Sequence, residues 1–183
     1  MCGRGMEATV SKQTSFLIAV GFVLVGVLTR LIPHPVNFTA VGALALWATT
    51  FFQDRRAAFA IPLAILILSD LVLGFHSTMV WVYGAFFLIA ALALVIQPRL
   101  SWGRAIAGSL TASLLFFVIT NFGVWVSGEL YPMTAEGLSQ CYIMALPFLK
   151  NQVAGDLFFT VAIGLVARAL AERREAAARV HAA

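Results

Sequence analysis

Long apolar runs, broken by short polar or basic punctuation, fill nearly the whole chain. They cover residues 16–32, 38–52, 57–75, 79–97, 105–126 and 153–171. A helix rises 1.5 Å per residue and needs roughly 20 apolar residues to cross a hydrocarbon core of about 30 Å. The pattern therefore predicts an all-α integral membrane protein with six transmembrane helices. Helix 2 is short for a span, and Pro62 interrupts helix 3. Such spans often flank transporter binding sites, because freed backbone groups are tolerated only beside a cavity; the plainer alternative is a helix 2 that is straight or begins earlier. Between helices 5 and 6, residues 134–150 carry a stripe of Leu138, Cys141, Tyr142, Ala145 and Leu149 opposite Glu136 and Gln140. That i, i+3, i+4 spacing is helical. The segment is too short to span and contains Pro147, so it is expected as an interfacial or re-entrant helix on the outer face. No internal repeat is visible.

Charge sets the expected orientation. Of twelve Lys and Arg residues, ten (Arg4, Lys12, Arg55, Arg56, Arg99, Arg104, Arg168, Arg173, Arg174, Arg179) fall on one side of the six-span layout, and two (Arg30, Lys150) on the other. Positive charge beside short loops stays in the cytoplasm, so both termini are expected inside. The domain organisation follows: 1–14 a cytoplasmic segment, 15–171 the six-helix domain, 172–183 a cytoplasmic helical tail. Hydrophobic residues are 61% of the chain and charged residues 11%, against about a quarter charged in soluble domains. A net charge of +4 invites a nucleic-acid partner, but orientation accounts for the basic residues better. The first run lacks a small-x-small cleavage site and is expected to be retained, with Met6 an alternative start to Met1. Cys2 and Cys141 would lie on opposite sides of the membrane, which excludes a disulfide between them.

The remaining polar residues gather at one depth. Asp70 and Asn121 each lie five residues before the outer end of their helix, roughly 8 Å deep, and Asp156 lies about 5 Å deep. Arg30 is near the outer end of helix 1. His34, Asn37, His76, Asn151 and Gln152 sit in the outer connections. Below this slab the spans are apolar apart from Ser and Thr. A charge in the membrane costs about 2.5–3.5 kcal/mol on the insertion scale, so these groups require partners or water. Gln152, Asp156 and Thr160 share one helical face, as do Asn121 and Trp125. Aromatics crowd the same level, among them Phe38, Phe75, Trp81, Tyr83, Phe122, Trp125, Tyr131, Tyr142 and Phe148. An aromatic-walled pocket with a few convergent polar groups is the usual profile of a small-molecule site. The competing account is an interfacial aromatic belt, with the aspartates serving as structural partners of Arg30 or as helix caps.

Other chemistries fit poorly. Asp70 and Asp156 could form an aspartyl protease dyad, but Val153-Ala154-Gly155-Asp156 lacks the Gly-x-Gly-Asp run of presenilin-like enzymes. No two metal ligands share a helix at i, i+3 or i+4, so neither a metal nor another cofactor is expected. No phosphate-cradling P-loop is present, and transport would draw on a partner or an ion gradient.

Several blocks are specific: Arg30-Leu-Ile-Pro-His-Pro-Val-Asn-Phe-Thr39, Val41-Gly-Ala-Leu-Ala-Leu46, Ser69-Asp-Leu-Val-Leu-Gly-Phe-His76, Thr120-Asn-Phe-Gly-Val-Trp125, Tyr131-Pro-Met-Thr134 and Gly155-Asp-Leu-Phe158. Over nearly all the chain after Thr14 they resemble an uncharacterised bacterial family of candidate membrane transport proteins. That family is similar to the substrate-binding S components of energy-coupling-factor (ECF) transporters. The resemblance implies a six-helix binding subunit of the bacterial cytoplasmic membrane, not an enzyme. It would take a vitamin-like or micronutrient solute near the outer face and work with a transmembrane coupling protein and ATPases, or alone. Docking in S components uses Ala-x-x-x-Ala on helix 1; Ser15 to Ala19 is the nearest match. Nickel and cobalt members place His second, where this chain has Cys2, which argues against metal uptake. The expected solute-binding residues are Arg30, His34, Asn37, Asp70, His76, Asn121, Trp125, Asn151 and Asp156. Two alternatives stand beside uptake: a structural scaffold in which the polar slab is an ion-pair lock, and a membrane-embedded enzyme with Asp or His as base.

Overall fold

The computed structural model describes residues 12–52, 54–96 and 101–182. In chain order the helices are α1 (Lys12–Leu31), α2 (Val41–Phe51), α3 (Ala57–Leu73), α4 (Met79–Ile96), α5 (Trp102–Val126) and α6 (Ala135–Ala182). No strand occurs among the described residues. Expectations resting on Cys2, Arg4, Met6 and Arg99 lie outside them.

Among the described residues, four helices are long and apolar enough to cross a membrane: α1, α4, α5 and the Ala135–Arg173 part of α6. They turn large apolar side chains outward, including Phe16 and Leu24 on α1, Val95 on α4, Leu114 on α5 and Leu165 on α6. Continuous exposed apolar surface of this kind suits lipid. The chain is a helical membrane protein.

The shortest helix is the innermost. α2 has 11 residues, about 16 Å of helix, roughly half the hydrocarbon thickness. It packs against each of the other five helices, and every residue from Val41 to Ala48 is buried. A helix that is apolar on all sides belongs inside. The expected span over 38–52 is thus shorter at its start. The preceding stretch is irregular, with Asn37 at φ 67°, a left-handed conformation that Asn tolerates better than most residues. α3 is also shorter than a full span, at 17 residues, but it runs unbroken through Pro62. The expected interruption does not occur: Pro62, in the second turn, offers no amide to the Ala58 carbonyl and crowds it, yet its fixed φ is helical and it is packed in the core.

A larger correction concerns α6. The expected interfacial helix over 134–150, the sixth span and the tail form one helix of 48 residues, about 72 Å long. Pro147 is exposed and does not break it, as happens in membrane helices where neighbours compensate the freed carbonyl. The first turns of α6 run along α5 instead of lying across the mouth of the bundle. Cys141 and Ala145 are buried, and the Tyr142 hydroxyl donates to the Val118 carbonyl at 2.7 Å.

Small residues let the inner helices approach. On α5, Ala105, Gly108, Ser109, Ala112 and Ser113 are buried three and four apart, the spacing that permits close helix contact. Trp47, the bulkiest fully buried side chain, donates its indole N–H to the Thr160 carbonyl at 3.1 Å and ties α2 to α6.

Candidate functional site

Two aspartates organise the bundle. Asp70, on α3, is 2% exposed and pairs with Arg30 of α1 at 2.7 Å. The other guanidinium nitrogen of Arg30 donates to the Ser69 hydroxyl at 2.7 Å. Ser69 in turn donates to the Ile65 carbonyl at 2.7 Å. The second Asp70 oxygen accepts from the Tyr83 hydroxyl of α4 at 2.9 Å. One carboxylate thus binds three helices, and both its oxygens are held by strong donors.

Asp156, on α6, is buried among neutral groups. One oxygen accepts from the Ser113 hydroxyl of α5 at 2.7 Å and from the Gln152 amide at 3.0 Å. The other lies against α2: a Cβ added at Gly42 would meet it at 2.5 Å. Gly155 does the matching service on α6, where a Cβ would come within 3.0 Å of the Phe38 Cα. Glycine at both positions is what lets α6 and the start of α2 touch. The carboxylate stands beside the first turn of α2, whose cap residue Ala40 offers no side-chain bond; a negative group is favoured at that positive helix end.

Between the two clusters lies a cavity of about 420 Å³. Its polar walls come from Arg30, His34, Asn37, Thr39, His76 and Gln152, with Val41, Leu66 and Phe86 among the apolar ones. A second cavity of about 290 Å³ adjoins it, sharing Val36, Asn37, Val82 and Phe116. Asn121, Thr120, Tyr131, Cys141 and Phe148 help line that one. Volumes of this order fall in the range of small-molecule sites.

The expected site residues therefore separate. Arg30, His34, Asn37 and His76 are brought together in the first cavity, and Asn121 reaches the second. Asp70 and Asp156 line neither; they stand behind Arg30 and Gln152 and hold those side chains. Trp125 faces neither cavity: its indole donates to the Pro132 carbonyl at 3.1 Å and pins the α5–α6 connection. Asn151 is half-buried on α6 and lines neither cavity. Phe75 is 72% exposed. Ser15 and Ala19 are half-buried on α1. No group of three or more His, Cys, Asp or Glu able to hold a metal occurs among the described residues.

The family model described as Family of unknown function (DUF6580) matches residues 10–178. The chain belongs to that family. No curated protein and no solved structure matches this DUF6580 member.

Ser69, Ser113 and Gly42 are given no role by the sequence, and Tyr83 only a place among the aromatics at this level. Two of them carried a usable signal. Ser69 adjoins Asp70, and Ser109 with Ser113 puts two hydroxyls on one face of α5. Nothing local marks the bond of Tyr83 to Asp70 or the closeness of Gly42 to Asp156, which come from helices distant in sequence.

Proposed function

We propose that this chain is a solute-binding membrane subunit for uptake, similar in role to an ECF S component. The cavity of about 420 Å³ at the Arg30 end carries this reading, because polar side chains from α1, α6 and two connections converge there above a buried half-length helix. Short helices of this kind border substrate sites in transporters. In this reading both termini are cytoplasmic and the Arg30 end faces outward in a bacterial cytoplasmic membrane. Transport energy comes from a coupling protein with ATPases or from an ion gradient, and the chain itself catalyses no reaction. The test is native mass spectrometry of the protein gently purified from its own host's membranes. A bound small molecule, absent from an Arg30→Gln/Asp70→Asn double variant that remains folded, is the expected result, since Arg30 lines the cavity.

One observation favours a second reading. The Arg30–Asp70 pair at 2.7 Å, braced by Ser69 and Tyr83, would serve equally as the lock of a structural scaffold. In that case a co-purifying protein and no small molecule is the outcome.

A further inference from the structure

The ionisable side chains that line the larger cavity are all of basic type. Arg30, His34 and His76 line the larger cavity, and no carboxylate lines either one among the described residues. Both buried aspartates are instead withdrawn behind the wall, bonded to lining donors: Asp70 to Arg30 and Asp156 to Gln152. Glu129, on the α5–α6 connection, accepts from Ser77 and is not part of the lining. Arg30 has five N–H donors in a rigid fork; among the described residues its partners are Ser69, at one terminal nitrogen, and Asp70, at the other. Its side chain is 16% exposed, so the rest of the fork is reachable from the cavity. Asp70 thus fixes the guanidinium in place without occupying the face it shows to a ligand.

The adjoining cavity differs in character. Val82, Phe116, Val124, Leu130, Tyr131 and Phe148 dominate its walls, and the shared residues Val36, Asn37, Val82 and Phe116 form the boundary. A ligand filling both would place an acidic group at Arg30 and an apolar or aromatic body beside Phe148.

Building on the solute-binding reading, we infer that the ligand is an amphipathic anion: a carboxylate or phosphate head seated on Arg30, with an apolar or aromatic body in the second cavity. The head chemistry is the same whether the molecule is a free organic acid or an anionic lipid. Bidentate recognition by arginine favours such oxyanion heads, and the apolar second lobe would leave a strongly polar tail unpaired.

The test uses the full chain in detergent and follows thermal unfolding against matched probes. Phenylacetate, phenyl phosphate and octanoate are compared with phenylacetamide, phenethylamine and octylamine. Saturable stabilisation by the acids, at least tenfold stronger in half-saturating concentration than by the amide or amines, is expected. An Arg30→Gln/Asp70→Asn double variant removes both charges together and avoids an orphaned ion, and it should lose that stabilisation. Phe148→Ala should weaken phenylacetate several-fold while leaving phosphate alone unaffected. Equal stabilisation by amines or amide overturns the anion assignment but keeps a solute site. No stabilisation by any probe, with no molecule retained on purification, overturns both readings. Repeating the titration in nanodiscs of phosphatidylcholine with and without phosphatidylglycerol separates the sources. Competition by phosphatidylglycerol identifies a lipid, and indifference identifies a free acid.

Discussion

Asp70 and Asp156 are both buried carboxylates, yet they are satisfied in opposite ways. Asp70 faces a full positive charge and a phenol, and its cluster joins α1, α3 and α4. Asp156 has only a hydroxyl and an amide as bonded partners, and its cluster joins α5, α6 and the start of α2. A charge pair in low dielectric is sensitive to the loss of one member and tolerant of the loss of both. A carboxylate held by neutral donors has no counter-charge to orphan, so its removal leaves only unpaired dipoles. The peripheral helix α1 is therefore attached by the more brittle of the two clusters.

Substitutions can break that contrast. Asp70→Ala strands the Arg30 guanidinium and should cost about 3–5 kcal/mol, read as a lowered thermal unfolding midpoint in detergent. Adding Arg30→Met should recover most of the loss; failure to recover would show that the cluster is not a charge pair in its energetics. Gly42→Ala presses a methyl into the Asp156 oxygen and should cost about 1–3 kcal/mol through overpacking. Asp156→Ala in the same background should relieve part of that, a coupling measurable by a double-mutant cycle. Tyr83→Phe removes one donor from Asp70 while Arg30 still neutralises it, and a loss of about 1–2 kcal/mol is expected. A larger loss than for Asp70→Ala would invert the ranking of the two partners.

The smallest effect has the opposite sign. Ser109 and Thr160 stand one helical turn from Ser113 and Asp156, and their hydroxyls are buried without a partner. Thr160→Val keeps the shape and removes an unsatisfied group, so a gain of about 1 kcal/mol is expected. A loss of stability instead would mean that this hydroxyl does have a partner.

What could be read from the chain follows its local physics. The starts of α3 at Ala57 and α4 at Met79 and the end of α5 at Val126 coincide with the edges of apolar runs, because composition changes there within a residue or two. Arg30, His34, Asn37 and His76 could be grouped because all lie at one set of helix ends. The interior position of α2 was not legible, since an apolar run of eleven residues looks the same facing lipid or facing protein. Nor was the continuity of α6: a proline signals a lost amide, not whether neighbours make good the loss. Depth along a helix was legible for Asp70, near the end of α3, but not for Asp156, which bonds Ser113 halfway along α5 because α6 begins at Ala135 and not near 153; nor has depth an azimuth. Only the packing of α3 against α1 and α4, and of α6 against α5 and α2, turns the two carboxylates away from the cavity.

The uninterrupted α6 has a mechanical consequence. At 48 residues, about 72 Å, it is more than twice as long as the hydrocarbon layer is thick. A continuous helix of that length works as a lever. A tilt of about 10° around its midpoint carries each tip roughly 6 Å, in opposite directions. Cys141 and Ala145, which help wall the smaller cavity, ride on one arm; Arg168, stacked 5.9 Å from the Trp102 ring, and the basic tail beyond it ride on the other. A rearrangement at the cavity mouth that rocks this helix is carried along one continuous helix, with Pro147 on the cavity arm the place where its amide ladder lacks a donor.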